Sequence, residues 1–306
     1  MLEKIVIVTR KTRLEGLIER FNSRAQAKFY LDHSGGDFAD YEREDATYRR
    51  AVETVRRTLD VGLKVQTVER SLVPTMLFTA NDLIVAVGQD GLVANTAKYV
   101  GDQPIVAVNP DPERFDGILL RYAPAETRAA VVSLLEGKAR MREVTLAEAA
   151  LDDGQKLLAF NDLFIGARSH VSARYRIGFG GATEPHSSSG VLVSTGAGST
   201  GWLSSVFAMA GAVARFSGGQ QGKAVRLDWE DPRLVFVVRE PYVSRHSRAG
   251  IVAGMIDATG ELVLESQMPS GGVIFSDGVE ADALDFNSGA RARIRAAAQK
   301  THLVAN

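Results

Sequence analysis

The sequence predicts an α/β amino-terminal domain with an open, mostly parallel sheet, followed by a β-rich domain. Three observations predict it. Lys4–Thr9 (KIVIVT) and Leu83–Val87 are nearly all apolar over strand length, the pattern of central strands covered by helices on both faces. Segments with helical spacing alternate with such runs through residues 1–140, as in an α/β sheet. Beyond about Val144, short alternating runs separated by glycines and polar turns take over, the signature of a β-rich domain. The expected boundaries are 1–140 and 141–306. A return of the last segment, about 281–306, to the first domain is left open.

The elements follow in order. After the first strand, Leu14–Ala27 places Leu14, Leu17, Ile18 and Phe21 on one helical face. Phe29–Glu42 is short, polar and glycine-containing and reads as a loop. Glu44–Leu59 reads as a charged helix with Ala51, Val52, Val55 and Leu59 on one side. Leu63–Val68 fits an edge strand, and Leu92–Tyr99 a helix directly after the Leu83–Val87 strand and its loop. Pro104–Val108 is a further buried strand, stopped by Asn109-Pro110-Asp111-Pro112. Ala123–Glu136 is a helix, with Gly137 as terminator. In the second half the expected strands are Lys156–Asn161, Ser172–Phe179, Val191–Ser194, Leu234–Val238, Glu261–Glu265 and Gly272–Ser276. One helix is expected there, Thr200–Ala214, and Ala290–Val304 closes the chain with strand alternation.

Composition narrows the function classes. The chain has 306 residues, 45% hydrophobic and 24% charged, with formal net charge −1 and no cysteine. That length suits two domains. The charge balance gives no argument for nucleic acid or a membrane surface as partner. The absence of cysteine excludes disulfides and Cys-ligated zinc. No apolar run approaches the ~20 residues of a spanning helix. The start, MLEKIVIV, enters a strand without a signal-peptide core, and Glu3, Glu15 and Glu19 argue against a transit peptide. A cytoplasmic protein is the expectation.

Four stretches carry chemistry. After Leu83–Val87 the chain breaks at Gly88-Gln89-Asp90-Gly91. Glycines there let backbone N–H groups approach an anion at the carboxyl end of a strand. Asp90 is sited to hold a metal or accept a proton; the alternative is a plain Asp-Gly turn. The second stretch, Ser194–Gly201, packs four hydroxyls and three glycines into eight residues. Such a loop before a helix offers donors to a phosphate or ribose, or serves as a flexible loop with an N-cap. It lacks the terminal Lys of a P-loop, and Gly178–Gly181 does not form a dinucleotide fingerprint. The third is Asn161-Asp162, a polar pair flanked by apolar residues, which needs a ligand or a buried turn to satisfy it. The fourth is a second strand-end Asp-Gly, Asp277-Gly278. His246, beside Arg245 and Arg248, reads as part of a solvated loop. The histidines show no metal-ligand spacing, so no side-chain metal site is assigned.

Taken in order, these stretches resemble the NAD kinase family. That family has an Asp-Gly loop after a buried strand, an Asn-Glu pair opening its second domain, a Thr- and Ser-rich glycine loop, and a late Asp-Gly. The Thr-Gly-Xaa-Gly-Ser-Xaa-Xaa-Trp form of Thr195–Trp202 and the Phe-Ile-Gly after Asn161-Asp162 are closer to the mitochondrial-type branch. The likeness covers about residues 80–280. It implies an NAD kinase-like two-domain fold with the site in a cleft between the domains. It also implies transfer of the ATP γ-phosphoryl group to the 2′-hydroxyl of NAD or NADH, assisted by Mg²⁺, in a homo-oligomer, dimer or tetramer. By resemblance Asp90 accepts the hydroxyl proton. Gly88, Gln89 and Gly91 form the phosphate-facing loop. Asn161 and Asp162 hold the adenosine, Thr195, Gly198, Ser199, Thr200 and Gly201 face the dinucleotide, and Asp277 joins the same site.

Three residues depart from the family pattern: Gln89 for the second glycine, Leu92 for a Thr, and Asp162 for the Glu. A side chain at Gln89 either crowds the phosphate path or adds an amide donor. Two other functions fit the same residues: a kinase with another hydroxyl acceptor (nucleoside, sugar or lipid-like alcohol), and a non-catalytic nucleotide-binding regulator.

Overall fold

The computed structural model describes residues 2–220 and 222–305. The chain divides into two compact units, Met1–Arg142 with Thr301–Asn306, and Glu143–Lys300.

In the first unit, β1 (Lys4–Thr9), β2 (Lys64–Glu69), β3 (Asp82–Val87) and β4 (Pro104–Val108) form a parallel sheet in the order β2-β1-β3-β4. Every residue of β3 is buried, as its unbroken apolar run requires. Helices α1 (Arg13–Phe21), α2 (Arg24–Ser34), α3 (Phe38–Thr58), α4 (Asp90–Ala97) and α5 (Thr127–Leu135) accompany the sheet. Tyr48, Val55 and Leu59 of the α3 region pack with Ile5, Ile7, Leu83 and Val85.

Two expectations fail here. Leu14–Ala27 is not one helix. Asn22 adopts a left-handed conformation at φ 58°, and Ser23 caps a new helix by accepting the N–H of Gln26. Nor is Phe29–Glu42 a loop. Helix α2 runs to Ser34 and is closed by Gly35 at φ 77°, and Asp37 starts α3 by accepting the N–H of Ala39. The Gly-Gly that reads as a loop is a stop and a start only a few residues apart. A 3₁₀ turn at Pro124–Glu126 also takes the first residues of the segment expected to be wholly α-helical.

The second unit holds two antiparallel layers. One contains β8 (Ala173–Phe179), β9 (Ala182–Ser188), β13 (Leu262–Ser266) and the first part of β16 (Arg291–Ala305), in the order β16-β13-β8-β9, with β5 (Arg140–Leu151) pairing β16 and β6 (Lys156–Ala159). The other is a six-stranded sheet in the order β12-β11-β10-β7-β14-β15. Its strands are β7 (Asp162–Ala167), β10 (Val191–Ser194), β11 (Leu234–Val238), β12 (Ala253–Ile256), β14 (Gly272–Ser276) and β15 (Val279–Asp285). Tyr175, Ile177, Leu264 and Ile294 from one layer share a core with Leu163, Ile165, Val193 and Phe236 from the other. Helix α6 (Trp202–Phe216) lays Leu203 against Leu192 and Val235. The α/β-then-β fold class read from the sequence is the one observed. Among the described residues no helix is long and apolar enough to cross a membrane.

Candidate functional site

Strand order locates a candidate site in the first unit. From β1 the chain crosses to β2 on one side, while β3 and β4 lie on the other. The order therefore reverses between β1 and β3, and ligands of open α/β sheets bind beyond the carboxyl ends of the strands at such a point. Those ends are Thr9 and Val87, and Val87 is followed by Gly88-Gln89-Asp90-Gly91.

The helix after β3 starts two residues earlier than expected. Asp90 and Gly91 form the first turn of α4 rather than a loop before it. Gln89 is the N-cap, with φ −104° and ψ 167° and no side-chain capping bond. Among the described residues, the N–H groups of Asp90 and Gly91 have no partner. An uncapped helix N-terminus concentrates unmet donors and the positive end of the helix dipole. A Cβ added at Gly91 would meet no heavy atom within 4 Å, so this turn opens into free space. At Gly88 an added Cβ would lie 2.7 Å from Leu92 Cδ2, so Leu92 fills the space over Gly88 and would have to shift for any larger residue there.

Asp90 is held from across the sheet. Its carboxylate accepts the N–H groups of Ile118 (3.1 Å) and Leu119 (2.9 Å). The segment after β4 is shaped to deliver them. Asn109 donates its side-chain amide to the Phe115 carbonyl and accepts the N–H of Asp111. Gly117 sits at φ 58° with Asn109 Nδ2 2.9 Å from where a Cβ would be. From the sequence Asn109–Pro112 reads only as a strand stop. Arg10-Lys11-Thr12-Arg13, three bases directly after the first strand, is a signal the motifs above leave out. A cavity of about 580 Å³ opens there, lined by Thr9, Arg10, Lys11, Tyr48, Thr67 and Glu69 among others. Arg10 and Arg13 both pair with the buried Glu44. Hydrogen bonds from Arg114 and Arg13 hold the Asp40 carboxyl down at about 2.

The other unit carries a polar cluster of its own. Asn161 and Asp162 stand at the start of β7, and Asp277 at the end of β14 in a left-handed conformation, φ 53°. The Asp277 carboxylate accepts three backbone N–H groups, from Phe160 (2.9 Å), Asn161 (2.6 Å) and Asp162 (3.3 Å). Its own N–H returns to the Asp162 carbonyl at 3.0 Å. Asp277 is thus a clamp on the Asn161-Asp162 pair. Thr195 is equally engaged: its hydroxyl donates to the Phe160 carbonyl at 2.6 Å and accepts the N–H of Gly198. The buried Ser199 hydroxyl donates to the Gly196 carbonyl at 2.7 Å. Gly198 is obligatory, because a Cβ there would lie 2.3 Å from the Asn161 carbonyl oxygen. The hydroxyl-rich loop is therefore a rigid 3₁₀ turn, Ala197–Thr200, and of its named residues Thr200 and Gly201 are the exposed ones. Helix α6 starts at Trp202, two residues later than expected. His246 is exposed, as a solvated loop implies.

Asp162 is the perturbed group. It lies directly opposite Ser194 in the β7–β10 register. Its Oδ1 is buried with no hydrogen-bond partner. Burial pushes its pKa up to about 7; the neighbouring Ser194 hydroxyl, which donates to the Thr195 carbonyl, opposes the rise, and the charge of Asp277 adds to it. Along β7 the side chain shares its face with Phe164, which stacks on Trp202 at 5.8 Å between centroids. The Arg239 guanidinium sits 5.4 Å from the Trp202 ring centre.

Comparison with known proteins adds the following. No family model matches the chain. It is 24% identical over 315 residues to NAD kinase 2, mitochondrial, of Rattus norvegicus, an alignment covering 79% of this chain and 74% of the relative. The fold is similar to that of yeast NADH kinase complexed with NADH, with a TM-score of 0.57, 16% identity, and coverage of 100% of this chain and 84% of that one. It is also similar to an NAD kinase from Archaeoglobus fulgidus in complex with ATP, with a TM-score of 0.56, 15% identity, and coverage of 99% and 94%.

Proposed function

We infer, from a likeness to NAD kinases that holds in sequence and in fold, that this chain transfers the γ-phosphoryl group of ATP to the 2′-hydroxyl of NAD or NADH, giving NADP or NADPH. The observation that carries the reading is the first turn of α4: unmet N–H groups, open space at Gly91, and a carboxylate fixed beside them. Phosphoryl transfer asks a protein mainly for positioning and charge stabilisation. The N–H groups of Asp90 and Gly91 supply donors to phosphate oxygens. The Asp90 carboxylate, held by Ile118 and Leu119, keeps lone pairs free to accept the proton of the attacking hydroxyl. In the other unit, Asn161 and Asp162 are the groups proposed to orient the adenosine, with Asp277 and Thr195 fixing their backbone. Thr200 and Gly201 are the members of the hydroxyl-rich loop open to a ligand.

Among the described residues no group of three or more His, Asp or Glu gathers as a metal cage. This donor set fits Mg²⁺ carried in on the triphosphate, where the ion keeps most of its waters and neutralises phosphate charge; Asp90 is the carboxylate nearest that role. A dimeric or tetrameric assembly is a further proposal from the resemblance, and a cytoplasmic location one from the reading of the sequence. Light scattering on the purified protein checks the first and fractionation the second.

The test is a coupled assay for NADP formation from NAD, ATP and Mg²⁺, repeated with NADH, on wild type and Asp90→Asn. Turnover that disappears in a folded Asp90→Asn supports the reading. A folded wild type that makes no NADP or NADPH overturns it, and retained activity in Asp90→Asn overturns the assignment of the base.

A further inference from the structure

The parallel ladder between β1 and β3 ends at Val8 and Ala86. Just beyond it, at the reversal point of the sheet, the hydroxyl of Tyr48 joins the two strands. It accepts the N–H of Arg10 at 2.8 Å and donates to the carbonyl of Val87 at 2.9 Å. Val87 is the last residue before Gly88 and the α4 turn. The phenol thus stands in for one rung of the ladder, at the one place where the strands part to leave room for a ligand.

The side chain is suited to this task. Tyr48 comes from α3 and is 5% exposed. Burial pushes its pKa up to about 12, so it remains a donor throughout the neutral range. The Arg10 guanidinium lies 4.9 Å from its ring centre and pairs with Glu44, one turn earlier on α3. Helix, first strand and phosphate-facing turn are thereby tied through a single oxygen. None of the residues assigned to the site from the sequence contributes to this tie.

We propose that Tyr48 is a positioning residue: its hydroxyl sets the separation of the β1 and β3 carboxyl ends and so the place of Gly88 and the first turn of α4. The effect on rate rests on the phosphotransfer reading; the effect on the loop does not.

The experiment compares wild type, Tyr48→Phe and Val55→Ala. The last removes buried contacts from the same helix, seven residues beyond Tyr48, and leaves the hydroxyl tie in place. Amide hydrogen exchange is followed by mass spectrometry. Tyr48→Phe should speed exchange of the hydrogen-bonded amides within residues 87–92, Gly88 and Leu92 among them, about tenfold or more while β2 and the rest of α3 keep their protection, because one local tie has been lost. Val55→Ala should loosen α3 without singling out 87–92. In the NADP assay Tyr48→Phe should lower kcat about tenfold to a hundredfold with the KM for NAD within a factor of about three, since misplacing a reacting group costs rate. Val55→Ala should keep kcat. Unchanged exchange at 87–92 in Tyr48→Phe, or a rise no greater than in Val55→Ala, overturns the proposal. Wild type that is inactive toward NAD and NADH sinks the functional reading alone, and the exchange result still decides the role of Tyr48.

Discussion

Asp162 gives the sharpest quantitative test of the polar cluster in the second unit. Its carboxyl is raised from 3.8 to about 7, first by burial. A raised acid binds a proton in the folded chain at pH values where the unfolded chain has lost it. Stability is therefore fully present below 3.8, falls as pH rises, and levels off above about 7. At ~1.4 kcal/mol per pH unit, the gap from 3.8 to about 7 amounts to about 4 kcal/mol. Asp162→Asn keeps the shape and removes the charge. The amide brings a donor into a place where Oδ1 already lacks a partner, at a cost of ~1–2 kcal/mol that does not vary with pH. The variant should be the less stable protein near pH 4 and the more stable one, by about 2–3 kcal/mol, near pH 8. Urea unfolding of both proteins at intervals from pH 4 to 9 measures the difference directly, and every titrating group not coupled to Asp162, as Asp277 is, cancels in the comparison. A stability difference that stays constant across that range would refute the argument that the surroundings of Asp162 desolvate its carboxyl.

Two glycine substitutions probe the loops in opposite senses. Gly91 has open space around it and lies in a helix, so Gly91→Ala should raise stability by about 0.5–1 kcal/mol. It should at the same time weaken ATP binding in calorimetry, because the added methyl stands where phosphate oxygens approach. Gly198→Ala should lower stability by about 3 kcal/mol, since its Cβ would lie 2.3 Å from the Asn161 oxygen and 2.6 Å from Ser194 Oγ. Thermal melts of the two variants should move in opposite directions.

The legible parts of this chain are those whose signal is side-chain polarity. Pro104–Val108, Val191–Ser194, Leu234–Val238 and Gly272–Ser276 are strands at the bounds their apolar runs indicate. Strands that break the pattern stayed hidden. Ala182–Ser188 (ATEPHSS) is an edge strand and can carry Pro185. Val279–Asp285 (VEADALD) is another edge strand, largely solvated. Arg140–Leu151 includes an Ala- and Glu-rich stretch with no strand propensity to announce it. Within the site, Asp90, Asn161, Asp162 and Asp277 were visible as acids or amides in apolar or glycine-rich settings. The groups that hold them were not. Ile118 and Leu119 act on Asp90 through backbone N–H groups, and Phe160 presents its carbonyl to Thr195 and its N–H to Asp277. Any residue type offers those atoms, so only the path of the chain reveals them.

Backbone geometry also decides what the departures from the family pattern mean. A glycine is required where φ is positive or where a Cβ would collide. Gln89 meets neither condition: its backbone is extended, as an N-cap should be, and its side chain is exposed. Gly88 approaches the second, because a Cβ there would push the end of the Leu92 side chain aside. The two substitutions thus belong together in different ways, with Leu92 filling the space over Gly88 and Gln89 leaving the turn unchanged. It follows that Gln89→Gly, the change back toward the family loop, should not improve the site. It should cost about 0.5–1 kcal/mol of stability by freeing the unfolded chain, and leave NADP formation within about threefold of wild type, because the N–H groups of Asp90 and Gly91 stay where they are. A gain of tenfold or more in kcat/KM would show instead that the glutamine side chain obstructs the phosphate path, and that its exposed position does not keep it out of the reaction.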